Sequence, residues 1–188
     1  LILARLLLPE DFGVVALVGA FIAISNVFVN SGLGSALIQS EQADETDYAT
    51  VLYFSLFISC VLYLLFFVAA PFIAEFYKEP VIESVLRIYS ISIIFAAVNG
   101  VQKSILLRQL KFKKVSLVGS ITVIFSGVIS VSMALSGYGI YALVFNSVFL
   151  GLISTGAFLI TMKWVPKFAF SIDRLRELFK FSYKLLLS

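Results

Sequence analysis

Long apolar runs broken by short polar clusters organise this chain of 188 residues. Residues 12–40, 48–74 and 115–162 carry no charged side chain. As a single helix rising ~1.5 Å per residue, the last run would be about 72 Å long, more than twice the roughly 30 Å hydrocarbon core of a bilayer. It has to cross and return, and the turn signal Ser136-Gly137-Tyr138-Gly139 lies near its middle. The same reasoning predicts membrane spans over residues 12–30, 48–70, 84–101, 115–135 and 138–162, with truncated spans at 1–8 and 182–188. Pro71 is expected to end the third span, and a loop is expected from about Asn30-Ser31-Gly32 to Asp47. Residues 171–183 interleave Arg174, Arg176 and Lys180 with Leu175, Leu178, Phe179 and Phe181, the pattern of a helix lying in the membrane interface. The expected fold class is an all-α polytopic membrane protein.

Composition agrees: 61% of residues are hydrophobic, 13% are charged, and the mean hydropathy is +1.05. Such a chain resembles neither a soluble domain nor a disordered one. Charge placement adds orientation. Of the 14 Lys and Arg, all but Arg5, Lys78 and Arg87 fall within residues 103–114 or 163–184, the two stretches that flank the long charge-free run. The positive-inside rule makes that side cytoplasmic. Residues 41–47 are then also inside, an awkward fit for an acidic loop, although acids count little in the rule. The net charge of +3 is explained by this asymmetry, so no nucleic-acid partner is expected. The chain has no His, and its single cysteine, Cys60, lies in an apolar run. Neither a metal site nor a cofactor is expected from those residue types. No nucleophile has a base near it in a recognisable pattern, so an enzyme is not expected either. The start at Leu1 and the stop at Ser188 inside an apolar run read as a fragment of a longer chain.

The candidates for function are polar groups in or near the membrane. Arg87 lies about one turn into its span, where a cation needs a partner, a wet cavity or a snorkelling route. It either pairs with Glu83 one turn earlier, or forms a cationic wall for an anionic substrate, with Arg5 and Lys78 near the outer rim. Asn26 and Asn30 share a helix face, as do Asn99 and Gln102, and Asn146 lies in the span over 138–162. These amides either bond between helices or line a hydrophilic lumen. The basic segment over residues 102–114 is explained by topology and by anchoring to anionic lipid, with contact to a lipid pyrophosphate as the minority reading. A short echo, Gly13-Val14-Val15-Ala16-Leu17-Val18 against Gly139-Ile140-Tyr141-Ala142-Leu143-Val144, hints at hairpin duplication.

Two stretches, Leu3-Ala4-Arg5-Leu6-Leu7-Leu8-Pro9-Glu10-Asp11-Phe12-Gly13 and Gly32-Leu33-Gly34-Ser35-Ala36-Leu37-Ile38-Gln39, carry a resemblance. Pro71-Phe72-Ile73-Ala74-Glu75-Phe76-Tyr77 and Leu106-Leu107-Arg108-Gln109-Leu110-Lys111-Phe112 follow in matching order. Together they resemble the amino-terminal region of bacterial oligosaccharide flippases, the polysaccharide transport family of the multidrug/oligosaccharidyl-lipid/polysaccharide exporter superfamily. The resemblance implies a two-lobe fold of about twelve to fourteen helices around a central cavity, with this chain as the N-terminal lobe. It implies a lipid-linked oligosaccharide as substrate, turned between leaflets of the cytoplasmic membrane by alternating access for surface polysaccharide assembly. Arg87, Arg5, Lys78, Asn26, Asn30, Asn99, Gln102 and Asn146 are the expected substrate contacts. The rival is a multidrug antiporter of the same superfamily, for which the spans lack deeply placed acids. A third reading is a membrane scaffold whose partners are a polysaccharide polymerase and glycosyltransferases.

Overall fold

The computed structural model describes residues 8–30, 33–40, 43–162, 164, 166 and 168–186. These residues form helices and no strand: α1 (Pro9–Asn30), α2 (Leu33–Gln39), α3 (Glu45–Tyr77), α4 (Val81–Tyr89), α5 (Ile91–Arg108), α6 (Phe112–Leu135), α7 (Tyr141–Met162) and α8 (Ile172–Leu186). Helices α1, α3, α6 and α7, and α4 with α5 taken together, are long and apolar enough to cross a membrane. The chain is an all-α polytopic membrane protein.

Its sidedness is the reverse of a soluble bundle. Helix α3 exposes Phe57, Leu64, Leu65, Val68 and Phe72 and buries Ser55, Ser59, Ala70 and Ala74. Helix α6 exposes Ile121, Ile124, Phe125 and Val128 and buries Thr122, Ser126 and Ser130. Lipid tails are as apolar as leucine, so nothing drives large side chains inward, while small ones let helices approach closely. Buried hydroxyls donate to backbone carbonyls: Ser59 Oγ to Leu56 at 2.8 Å and Thr122 Oγ1 to Val118 at 2.7 Å within their own helices, and Ser130 Oγ across to Ala142 of α7 at 2.7 Å.

Local chemistry sets the ends. Asp44 caps α3, accepting from the Thr46 and Asp47 backbone N–H groups at 2.8 and 3.0 Å, while the Asp47 carboxylate accepts from the Asp44 N–H at 2.9 Å. Lys78 closes the other end of α3 in the left-handed region at φ 57°. The α6–α7 turn uses Gly137 and Gly139 at φ 83° and 51°, conformations that glycine adopts without a Cβ clash.

Four expectations change. Pro71 does not end its helix; it lies inside α3. Its missing N–H leaves the Phe67 carbonyl without the usual partner, and a side chain from α4 supplies one, described below. The span expected over residues 84–101 is longer and broken at Ser90, whose Oγ donates back to the Arg87 carbonyl at 3.0 Å. The expected loop before Asp47 contains α2, which buries Leu33, Ala36 and Leu37. Gly34 there tolerates no Cβ without pressing on Ser104 Oγ, at 3.0 Å. The two glycines of the sequence echo are also not equivalent, because Gly13 lies within α1 whereas Gly139 precedes α7 at positive φ.

Candidate functional site

A cavity of about 550 Å³ opens between α1, α5, α6 and α7. Its walls are two stripes of the same helical spacing. Ser92, Ala96, Asn99 and Lys103 line it from α5, and Ser147, Gly151, Ser154 and Phe158 from α7. Both sets step by four, three and four residues, which keeps each on one face of its helix. Ile22 and Asn26 add one turn of α1, Val115 and Gly119 one turn of α6, and Tyr89 closes the wall at the α4–α5 break.

The stripes are held together directly. Asn99 Nδ2 donates to the Gly151 carbonyl at 3.1 Å, and Thr155 Oγ1 donates to Asn99 Oδ1 at 3.1 Å. Gly151 permits this approach, since a Cβ there would lie 2.7 Å from Phe95 Cβ. The cavity lining is mainly apolar, set with hydroxyl and amide groups and one ammonium, Lys103, a turn beyond Asn99 toward the basic end. No Asp or Glu is among the described residues that line it.

Of the expected contacts, the structure brings Asn26 and Asn99 into this cavity. Gln102 is buried on α5 but is not part of the lining, and its Oε1 accepts no hydrogen bond from the described residues. Asn146 is half-buried on α7, about 100° around the helix from Ser147, and does not line the cavity. Lys78 is exposed in the α3 cap. Arg5 and the side chain of Asn30 lie outside the described residues.

Arg87 is engaged elsewhere. It pairs with Glu83 at 2.8 Å, its guanidinium carbon lies 4.5 Å from the centroid of the Phe67 ring, and Nε donates to the Phe67 carbonyl at 3.4 Å. That carbonyl is the one Pro71 cannot use. Arg87 thus mends the proline break in α3 from the neighbouring helix.

Lys103, Ser92, Ser147, Ser154 and Tyr89 were not singled out by residue type. The repeated spacing of small polar positions on α5 and α7 was the available signal.

At the basic end, Arg108 ties α5 to the segment before α3. Nε donates to the Ser40 carbonyl at 3.1 Å, and one terminal nitrogen donates to the Ala43 carbonyl and the Tyr48 hydroxyl. Arg174 of α8 reaches Asp47 at 3.7 Å and Asp44 at 3.9 Å, and the Ser171 N–H donates to Thr50 Oγ1 at 3.2 Å. Leu175 and Leu178 pack into the cluster around Leu33 and Tyr48, so α8 is docked on the bundle. The Asp47 backbone N–H holds the Asp44 carboxyl below its ordinary range; partial burial opposes this, and Thr46 and Arg174 reinforce it. The acidic segment before α3 therefore lies at the same end as the basic stretches, with acids that cap a helix and meet an arginine.

The sequence model of a family described as polysaccharide biosynthesis protein matches residues 2–188. The chain belongs to this polysaccharide biosynthesis family. Among its relatives, the succinoglycan biosynthesis transport protein ExoT of Rhizobium meliloti (strain 1021) is 30% identical over 182 residues, covering 97% of this chain and 37% of that protein. The teichuronic acid biosynthesis protein TuaB of Bacillus subtilis (strain 168) is 27% identical over 165 residues, covering 84% of this chain and 33% of that protein. The chain thus spans about a third of the length of these curated relatives. No solved structure matches it.

Proposed function

We propose that this chain forms the N-terminal lobe of a flippase that turns lipid-linked oligosaccharide units across the bacterial cytoplasmic membrane by alternating access. The substrate is an undecaprenyl pyrophosphate bearing the repeat unit of a surface polysaccharide, and the basic end faces the cytoplasm. The lining of the cavity carries this reading. Sugar hydroxyls leaving water need donors and acceptors inside the bilayer, to which Asn26, Ser147 and Ser154 contribute, while Ser92, donating to the Tyr89 carbonyl at 2.7 Å, and Asn99, bonded to Gly151 and Thr155, add acceptor capacity. A pyrophosphate needs a cation at the leaflet from which it enters, and Lys103 lies on that side. The lack of a carboxylate among the described lining residues favours this substrate over proton- or sodium-coupled drug exchange within this lobe. The protein acts by binding and conformational change, and sugars are joined by other members of the assembly apparatus.

The test is complementation of a flippase-deficient strain by the full-length gene. Restored surface polysaccharide is expected, with a large loss for Lys103→Gln and for Ser154→Leu at unchanged protein level in the membrane. Drug resistance gained without restored polysaccharide overturns the proposal in favour of an antiporter. Restoration that survives both cavity variants removes the cavity from the reading.

A further inference from the structure

A second, smaller cavity lies at the basic end and has no part in the transport reading. It measures about 240 Å³ and is enclosed by the start of α3, the α5–α6 turn, the end of α7 and Trp164. Lys111 and Lys114 contribute ammonium groups, Gln109 an amide and Trp164 an indole, while Ile105 and Met162 give an apolar floor. Tyr48 packs edge-on against Trp164, with centroids 6.4 Å apart. Trp and Tyr favour the headgroup level of a bilayer, and Lys favours its cytoplasmic face.

The lysines are placed for an anion. Lys111 Nζ donates to Gln109 Oε1 at 2.7 Å, and Lys114 Nζ to the Thr161 carbonyl at 3.4 Å. Both partners are neutral, and neither lysine forms an ion pair among the described residues. The α5–α6 turn that aims Lys111 is held with Leu110 at φ 55°, and the Lys111 N–H donates to the Leu106 carbonyl at 2.9 Å. One carboxylate, Glu45, also lines the cavity. The small volume suits a single phosphodiester with its ester carbons rather than a pyrophosphate bearing a sugar.

We infer that this cavity is a binding site for the phosphodiester headgroup of an inner-leaflet phospholipid. The phosphate sits between Lys111 and Lys114, with its glycerol carbons against Ile105 and Met162. Such a site fastens the α5–α6 turn and the α7–α8 connection to the leaflet.

The experiment uses the full-length protein in phosphatidylcholine nanodiscs doped with phosphatidylglycerol, with retained lipid read by native mass spectrometry. Wild type is expected to hold phosphatidylglycerol, and Lys111→Gln/Lys114→Gln to bind it at least about tenfold more weakly, a change of about 1.4 kcal/mol. Lys113→Gln/Lys180→Gln removes the same charge from exposed positions that do not line the cavity and is expected to retain the lipid. If both pairs lose it equally, diffuse surface charge is responsible and the site is refuted. Unchanged retention in the Lys111/Lys114 variant refutes it as well. A parallel arm with a polyprenyl pyrophosphate separates the sources: loss of that ligand alone overturns the phosphodiester assignment. Should the double variant fold poorly, Lys111→Gln alone, in the exposed turn, gives the same comparison with a smaller loss.

Discussion

Arg87→Met removes the guanidinium while keeping an unbranched apolar stem, so its effect isolates the polar contacts. The i,i+4 pair with Glu83 is worth about 0.3–0.5 kcal/mol at a half-exposed site. The contact with the Phe67 ring adds about 0.5–1 kcal/mol. A charge-assisted bond to a carbonyl is worth more in general, but at 3.4 Å it is long and contributes about 0.5 kcal/mol. Together these give a destabilisation of about 1.3–2 kcal/mol. The value alone does not establish why Arg87 is needed, because any well-contacted arginine would give a similar one.

Pro71→Ala does. It restores an N–H opposite the Phe67 carbonyl, so the bond from Arg87 becomes redundant. Arg87→Met is therefore expected to cost at least about 0.5 kcal/mol less in the Pro71→Ala background than alone, above the roughly 0.3–0.5 kcal/mol within which independent sites add. Unfolding of the full-length protein in mild detergent, titrated with sodium dodecyl sulfate, measures all four corners of the cycle. Additivity refutes the proline-mending account. Arg87→Met that keeps full stability yet abolishes transport returns Arg87 to the substrate path.

Three further outcomes follow from single contacts. Gly151→Ala places a Cβ 2.7 Å from Phe95 Cβ, whereas Gly156→Ala meets nothing within 4 Å; the helix-propensity gain cancels between them, so their unfolding free energies should differ by about 1–3 kcal/mol. Arg108→Lys cannot fork to Ser40, Ala43 and Tyr48 and should cost about 1–3 kcal/mol, with Arg108→Met no better, by the same assay. Asp44→Ala should cost about 0.5–2 kcal/mol and Asp44→Asn much less, because Asn still caps. The folded Asp44 carboxyl lies below its ordinary value of 3.8, so its stabilisation is complete above that pH and is lost as pH falls through the folded value. Asp44→Asn should therefore flatten the acid limb of a stability–pH profile and leave neutral pH nearly unchanged.

Fold class was legible because charge-free runs of span length leave few alternatives, and the 136–139 turn was legible because its glycines are needed at positive φ. Pro71 misled because the rule that proline ends helices assumes no neighbour will take up the freed carbonyl. Arg87, from 16 positions later in the chain, does so. Helix α2 was missed because its seven residues are too short for periodicity to register against the loop signals around it. Within the cavity, Asn26 and Asn99 stood out as amides in apolar spans. Serines 92, 147 and 154 did not, since serine in a membrane helix usually bonds its own backbone, as Ser59 and Ser92 do here. Lys103 was hidden in plain view: it begins a basic stretch that topology already explains, and only the packing of α5 against α6 and α7 separates it from its neighbours.

The acidic segment before α3 is the sharpest case of charge being misread from sequence. Counted as free charge, Asp44 and Asp47 weaken the placement of their loop on the basic side. In the fold Asp44 accepts from α3's first backbone N–H groups, Asp47 accepts from the Asp44 N–H, and both face Arg174, while Arg108 holds the preceding carbonyls. Acids used this way stabilise the positive end of a helix dipole and leave the Lys and Arg of that end to set its character. The same end carries Lys103 at the large cavity and Lys111 and Lys114 at the small one. Opposite to it lie Glu10, Asp11, Glu75, Glu79 and Glu83 with only Lys78 and Arg87 among the described cations, and Arg87 is taken up by Glu83 and Phe67. Among the described residues, unpaired ammonium groups therefore concentrate at one end of this bundle, with Lys78 the exception at the other.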